Sequence, residues 1–582
     1  MTDGSPNAPR SGDATPAPLW GAIPGPDGTR FRLWAPDLSA LSLRIDGTDL
    51  PMQAMGDGWL ERTEIAPDGT EYLFVTPDGT ALPDPASRRQ AGDVHGPSVV
   101  TRTAFDATHP RPDIPWEAAV IYELHIGTFT PEGTFRAAID RLPHLADLGI
   151  TMVEILPLAQ FGGDRGWGYD GVLPYAPHPA YGPPEDVAAF VDAAHGLGMQ
   201  VLIDVVYNHF GPDGNYLGDY ASSFFNQERH TPWGAGIDYS ESAVRRFFLD
   251  NARMWLVEYG FDGLRLDAID HIRDASDPEL LVELARECRA LPFPVVLTTE
   301  DNRNVTHLHE GEAGMDGEWN DDWHNAAHVV LTGETEGYYG GFAKDPTALL
   351  ATAAAEGFAT PGVGGKGGDA AHMPPAFFID FLQNHDQVGN RPRGGRLTTL
   401  ADPDALRAMQ AVLLLSPHVP MLFMGEEWEE TNPFLFFAGF DGDLGQAVTE
   451  GRRKEFAGFG GFSANDVPDP IARSSFEASR IDWARAETGT GRAAIARIRD
   501  LIALRAAHIV PHLRGAPPHC GSVVACDPHC LAIDWRLNGA DLHLRANLGE
   551  TPATDLPLPE GAPFHLTGAA PGAPRSAAFW LS

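Results

Sequence analysis

Lysine is almost absent from this chain of 582 residues, occurring only at positions 344, 366 and 454. Nearly all the positive charge is therefore arginine, which we read as a matter of codon composition rather than of function. Positive charge of either kind is scarce, and the formal net charge is -39. So acidic a chain would repel nucleic-acid phosphates and an anionic membrane surface, but it leaves a neutral substrate such as a sugar unaffected. No apolar run reaches the roughly 18 residues that a membrane span requires. The first twenty residues are rich in Pro, Ala, Gly and Ser and lack the apolar stretch of a secretory signal. Four cysteines in such a length do not make a disulfide framework. These absences together lead us to expect a soluble cytoplasmic protein.

Metal chemistry is equally short of signals. The sequence has no HExxH and no pair of CxxC motifs. Cys520, Cys526 and Cys530, with His519 and His529, fit no common zinc spacing. The glycine-rich run 362–368 lacks the four-residue gap and the Ser/Thr after its lysine that a phosphate loop needs, so it reads as a flexible loop. No metal and no cofactor is expected.

The chain is too long for one core. Residues 1–18 read as a disordered tail. Over 19–108, short alternating strands such as Phe31–Trp34 and Leu41–Ile45, separated by Asp-Gly turns, predict a β-sandwich. Beyond a proline-rich connector the pattern changes to apolar strands alternating with amphipathic helices, over 109–510. Strands are predicted at 120–125, 152–156, 200–206, 261–267, 294–298, 376–381 and 420–424, with a weak one near Gly317. One helix carries Val187, Phe190, Val191 and Ala194 on one face and is expected to end at Gly196; another is expected over 243–258. Repeated β-then-α units imply an α/β fold, a (β/α)8 or TIM barrel. Residues 511–582 return to short strands, read as a small C-terminal β-domain.

Four of the barrel segments end on polar side chains: Asp204–His209, Gly263–Asp267, Leu297–Glu300 and Phe381–Asp386. Strand C-termini are where such a barrel keeps its chemistry. Arg265 and Asp267 are two apart, so they share a face, and the arginine favours an ionised aspartate. That pairing by itself could equally be a structural ion pair. Glu300 ends an otherwise apolar and hydroxyl-bearing strand, where a carboxyl near other acids should hold its proton. Asp301 follows it directly, and alternation lets only one of the two face the mouth. A lone His209 or His385 would more often be a packed residue, but polar groups at four strand ends of one barrel are hard to explain as packing. Three carboxylates around one pocket suit glycosidic bond cleavage. Trp167, Tyr169, Trp319 and Trp323 are aromatics that could stack on sugar rings, Trp323 least so because it falls on a predicted helix.

In order and spacing these four segments resemble those of the α-amylase superfamily of glycoside hydrolases, and the resemblance runs from about residue 30 to the C-terminus. Finer motifs narrow it. Glu123–Phe135, Gln383–Arg391, Glu318–His324 and Met424–Trp428 are similar to the maltooligosyltrehalose trehalohydrolases and less so to branching enzymes. Between Gly340 and Pro375 this chain has alanine and glycine where that family usually has tyrosines and arginines. The resemblance implies Asp267 as nucleophile, Glu300 as proton donor and Asp386 as transition-state stabiliser. It implies substrate contacts at Tyr169, Asp170, His209, Arg265, Leu266, Ala268, Ile269, Asp270, Asn320, Asp321, Asp322, Trp323, His324, His385, Gln387, Val388, Gly389 and Asn390. Asn208 falls where many amylases bind calcium. The implied reaction is hydrolysis of a maltooligosyltrehalose to release trehalose, downstream of a maltooligosyltrehalose synthase. A branching or glucan-transfer enzyme, and a non-catalytic glucan-binding protein on the same scaffold, are the alternatives.

Overall fold

The computed structural model describes residues 18–102, 105–231, 234–311, 314–365, 367–456 and 467–582. The tail expected over 1–18 therefore lies outside the described residues except for Pro18, as does Lys366 of the glycine-rich loop.

Two antiparallel sheets open the chain. In one, Gly28–Trp34 lies between Ile23–Gly25 and Trp59–Glu64. In the other, Ser42–Ile45 lies between Thr48–Pro51 and Glu71–Val75. Phe31 and Leu33 are buried and alternate with arginines, as a strand with one wet face requires. Trp20 ties this sandwich to the next unit. It meets Trp34 and Trp59 edge-on within the sandwich and Phe224 and Phe247 beyond it. Its indole Nε1–H donates to the carbonyl of Ala243 at 2.9 Å.

Eight parallel strands then close into a barrel. They are β1 (Ile121–Leu124), β2 (Met152–Ile155), β3 (Gln200–Val205), β4 (Gly263–Leu266), β5 (Val296–Thr299), β6 (Gly317–Trp319), β7 (Phe378–Phe381) and β8 (Val419–Phe423). The weak strand near Gly317 is the short β6, only three residues long. The barrel's floor is an apolar cluster that includes Ile121, Met152, Leu202, Val296, Ile379, Val419 and Met421. Side chains two residues further along the strands face the same interior, and there the lining turns polar, with Glu123, Glu154, Asp204, Arg265 and Thr298.

Helix α1 (Pro184–Gly196) starts on a proline with Glu185 and Asp186 in its first turn, and buries Val187, Phe190, Val191 and Ala194. Gly196 is its last helical residue rather than its terminator; the left-handed turn falls on Gly198. Helix α2 (Ser242–Arg253) widens into a π-helical turn over Met254–Glu258, which keeps Trp255 and Leu256 buried while Val257 faces solvent. The alanine-rich stretch after Gly340 folds as a helix, Pro346–Glu356, against the C-terminal sheet. Small side chains allow that approach. The indole of Trp535 donates to the Ala354 carbonyl at 3.0 Å, and a Cβ on Gly521 would lie 1.9 Å from the Ala355 oxygen.

The C-terminal sheet is antiparallel, in the order Gly521–Asp527, Cys530–Arg536, Asp541–Asn547, Ser576–Leu581, His565–Thr567. All four cysteines are free. Among the described residues, no group of three or more His, Cys, Asp or Glu side chains could hold a metal ion. No helix among them is long and apolar enough to cross a membrane.

Candidate active site

Arg265 organises the mouth of the barrel. It is fully buried on β4, and its guanidinium divides among three carboxylates. Nη1 donates to Asp204 Oδ2 at 2.6 Å and to Asp267 Oδ1 at 2.9 Å, and Nη2 donates to Glu300 Oε2 at 2.5 Å. Its central carbon lies 3.9 Å from the ring centroid of Trp319, against an aromatic face that favours a cation. One planar fork thus fixes Asp267 and Glu300 relative to each other.

Asp267 lies one residue beyond β4, where its second oxygen accepts from Asn208 Nδ2 at 2.9 Å. The chain then turns sharply. Ala268 adopts φ 39°, and its amide donates to Glu300 Oε2 at 3.2 Å. Burial raises the Glu300 carboxyl well above the usual range; Arg265 opposes this, while Asp267, Asp386 and Asp321 add to it. Asp301 turns the other way and is held by Arg303, with Nη2 to Oδ2 at 2.6 Å. Of the two adjacent acids it is Glu300 that lines the mouth.

Across the opening, Asp386 is also raised by burial, and Asn390 Nδ2 donates to its Oδ1 at 2.5 Å. His385 sits on Glu123, which accepts from the imidazole at 2.6 Å and from the backbone amide at 2.9 Å. Burial works against a charge on His385, but Glu123, with help from Asp386, more than offsets it and the imidazole is raised. Tyr169 stacks on His385 with centroids 4.9 Å apart, and its hydroxyl donates to Asp204 Oδ2 at 2.6 Å. His209 Nε2 lies 3.0 Å from the Tyr169 carbonyl. Asp321 accepts from Gln387 at 3.2 Å, and burial pushes its carboxyl up to about 7.

Of these groups, Glu300, Asp321, Asp386, Gln387 and Asn390 border an open cavity. Its lining also includes Glu334, Tyr338 and Arg391. Arg391 grips Glu334 with both guanidinium nitrogens, at 2.6 and 2.7 Å. Arg452 braces the turn after Asp386, donating to the Gly389 carbonyl and to Asn390 Oδ1.

The geometry brings together Asp267, Glu300, Asp386, Arg265, His209, His385, Tyr169, Asp321, Gln387, Gly389 and Asn390. Other expected contact residues face elsewhere. Leu266, Ile269, Trp323 and Val388 are side chains of the hydrophobic core. Asn320 caps the helix α3 (Asp321–Thr332) and donates to Gly357 and Asp380. Asp322 is consumed by the amides of Ala359 and Thr360, so it anchors the start of the glycine-rich loop. His324 stacks on Phe381 and pairs with the Leu382 carbonyl. Asp270 is buried near His271, and the Asp170 backbone packs tightly on Gly211.

Glu123 and Asp204 carry structural roles that the sequence reading did not assign. An acid two residues after an inward-facing Ile121 or Leu202 was the available signal. Arg391 closes the Gln383–Arg391 motif, whereas Glu334, Tyr338 and Arg452 gave no signal, because they come from loops and a helix far apart in the chain.

A family model described as the alpha amylase catalytic domain matches residues 99–234, and one described as a domain of unknown function, DUF3459, matches 518–580. A malto-oligosyltrehalose trehalohydrolase of Deinococcus radiodurans is 46% identical over 84% of this chain and 83% of its own length. One from Mycobacterium tuberculosis is 40% identical over 82% and 86%. A crystal structure of an alpha-amylase candidate from Salmonella typhimurium superposes with a TM-score of 0.94 at 48% identity, covering 97% of this chain and all of that one.

Proposed function

The chain belongs to the malto-oligosyltrehalose trehalohydrolase family, and from that premise we propose that it hydrolyses the α-1,4 bond joining a maltooligosaccharide to a terminal α,α-trehalose. The observation that carries the mechanism is the single guanidinium of Arg265 shared by Asp267 and Glu300. Both acids sit beside one cation, yet burial raises the Glu300 carboxyl and favours its protonated form. Asp267 is the nucleophile at the anomeric carbon. Glu300 gives its proton to the departing trehalose oxygen and then, as a carboxylate, takes one from the attacking water. This two-step route retains configuration and needs the two carboxyl groups roughly 5–5.5 Å apart. Asp386, opposite, bonds sugar hydroxyls and offsets oxocarbenium charge.

Tyr169, His209 and His385 surround the sugar that is attacked, and the Tyr169 ring is its stacking platform. The trehalose leaves on the Glu300 side, in the cavity whose lining Glu300 shares with Tyr338 and Arg391. A neutral oligosaccharide reaches this acidic chain without repulsion. A maltooligosyltrehalose synthase is the proposed source of the substrate, and the cytoplasm the proposed compartment. The test is incubation with maltooligosyltrehalose, with free trehalose as the expected product. No trehalose, with new α-1,6 branches formed on amylose, would refute the reading in favour of glucan transfer.

A further inference from the structure

The polar layer above the barrel floor contains one acid without an assigned role. Glu123 spends both oxygens on His385, and Asp204 Oδ2 serves Tyr169 and Arg265. Glu154 stands between them, paired in register with Glu123 on one side and Leu202 on the other. It is 1% exposed. Neither of its carboxyl oxygens has a hydrogen-bond partner among the described residues. Three more buried polar atoms close by are in the same condition: Oδ1 of Asp204, Nε of Arg265 and Oγ1 of Thr298. These three residues are register neighbours across β3, β4 and β5. An unsatisfied buried polar group is costly, and several converging on one interior place is the setting in which proteins hold ordered water.

We propose that Glu154 is a positioning residue for the reaction, hydrogen-bonded through buried water to Oδ1 of Asp204 and so fixing the Asp204–Arg265 pair that carries Asp267 and Glu300. It acts as the neutral acid. The charged groups that face it are Glu123, Asp204 and Arg265, and burial together with the two carboxylates holds its proton on against Arg265. The neutral acid donates to the bridging water, which donates in turn to the free aspartate oxygen, and no further buried negative charge is added beside Glu123 and Asp204. The inference rests on the reading of Asp267 and Glu300 as the reacting pair.

Glu154→Gln and Glu154→Leu separate the alternatives. Glutamine keeps the shape, a donor and an acceptor, so kcat should stay within about threefold of wild type and the alkaline limb of its pH profile should not move. Leucine keeps the bulk and removes both. Its kcat should fall about tenfold or more with KM nearly unchanged, and the limb should shift because Arg265 is no longer held. A glutamine variant as impaired as the leucine one, or a leucine variant with wild-type kcat, overturns the proposal. Melting curves check that each variant folds. If the leucine variant does not, the infrared spectrum decides: at neutral pH the carbonyl stretch of a protonated carboxyl should be present in wild type and lost in Glu154→Gln. No such band in the wild-type minus Glu154→Gln difference spectrum overturns the proposal, because the neutral Glu300 and Glu426 contribute equally to both proteins and cancel. That measurement needs no turnover, so a failure of the trehalose assignment would show separately, in the wild-type product assay.

Discussion

Arg265→Lys separates what the guanidinium fork does from what its charge does. Lysine keeps the charge but concentrates it on one compact centre, and it cannot span carboxylates on different strands. In the native site Nη1 serves Asp204 and Asp267 while Nη2 serves Glu300, at 2.6, 2.9 and 2.5 Å. An ammonium placed for one of these loses the other two. A hydrogen bond to a charged group contributes about 1.5–3 kcal/mol, so at the lower end two of them amount to about 3 kcal/mol. At 1.36 kcal/mol per tenfold in rate, that is about a hundredfold in kcat. KM should change little, because Arg265 is fully buried behind the acids that meet the sugar. The melting temperature should also drop, since buried carboxylates are left with an incomplete partner. The assay is trehalose release from a defined maltooligosyltrehalose over a range of concentrations, with a melting curve for each protein. A lysine variant within about threefold of wild-type kcat would refute the reasoning, because charge alone would then suffice.

Glu300→Gln should lower kcat by a factor of about 10² to 10⁴. Wild-type activity should decline as pH rises through the elevated Glu300 value, when the acid loses its proton, and the glutamine variant should lack that limb. Asp267→Asn should fail to form the covalent glycosyl-enzyme that a slow fluorinated substrate leaves on wild type, read by intact-protein mass; label on the variant would reassign the nucleophile. Glu426 is a stability probe. Burial lifts its carboxyl from 4.5 to about 8, so its neutral form is favoured in the folded chain. That contribution is complete below the unfolded value and is lost as pH rises toward the folded one. The melting temperature of Glu426→Gln should therefore fall less than wild type between about pH 5 and 8, and parallel curves would contradict this. In Gly389→Ala the new Cβ would lie 2.1 Å from the Trp167 ring. A loss of about 1–3 kcal/mol in stability and a raised KM should follow, measured by denaturation and steady-state kinetics.

What could be read from the sequence was what repeats with a period. Alternating strands and amphipathic helices expose the three units, because burial imposes those periods on the residues. Strand ends are almost as legible: a carboxyl or imidazole closing an apolar run has few reasons to be there, and Asp267, Glu300 and Asp386 stood out for that reason. The short β6 gave a faint signal because three residues are too few to establish alternation. Contacts built across sequence distance were silent. Nothing about Glu334 announces Arg391, and nothing about Asp322 announces Thr360, since each pair meets only once the barrel has closed. Neighbours of the mouth residues do not all face the mouth, for the related reason that adjacency in sequence is not adjacency in direction. Leu266 and Ile269 flank the mouth residues yet point into the core.

Trp20 shows how closely the N-terminal sandwich depends on the barrel. One indole is at once an interior residue of the sandwich, against Trp34 and Trp59, and of the barrel, against Phe247. Trimming the chain back to the barrel should therefore destabilise it. It would strip the cover from Phe224 and Phe247 and remove the indole donor from the Ala243 carbonyl. The two units share a seam rather than a hinge, so they should melt as one, and the first strands are part of what keeps the catalytic barrel folded.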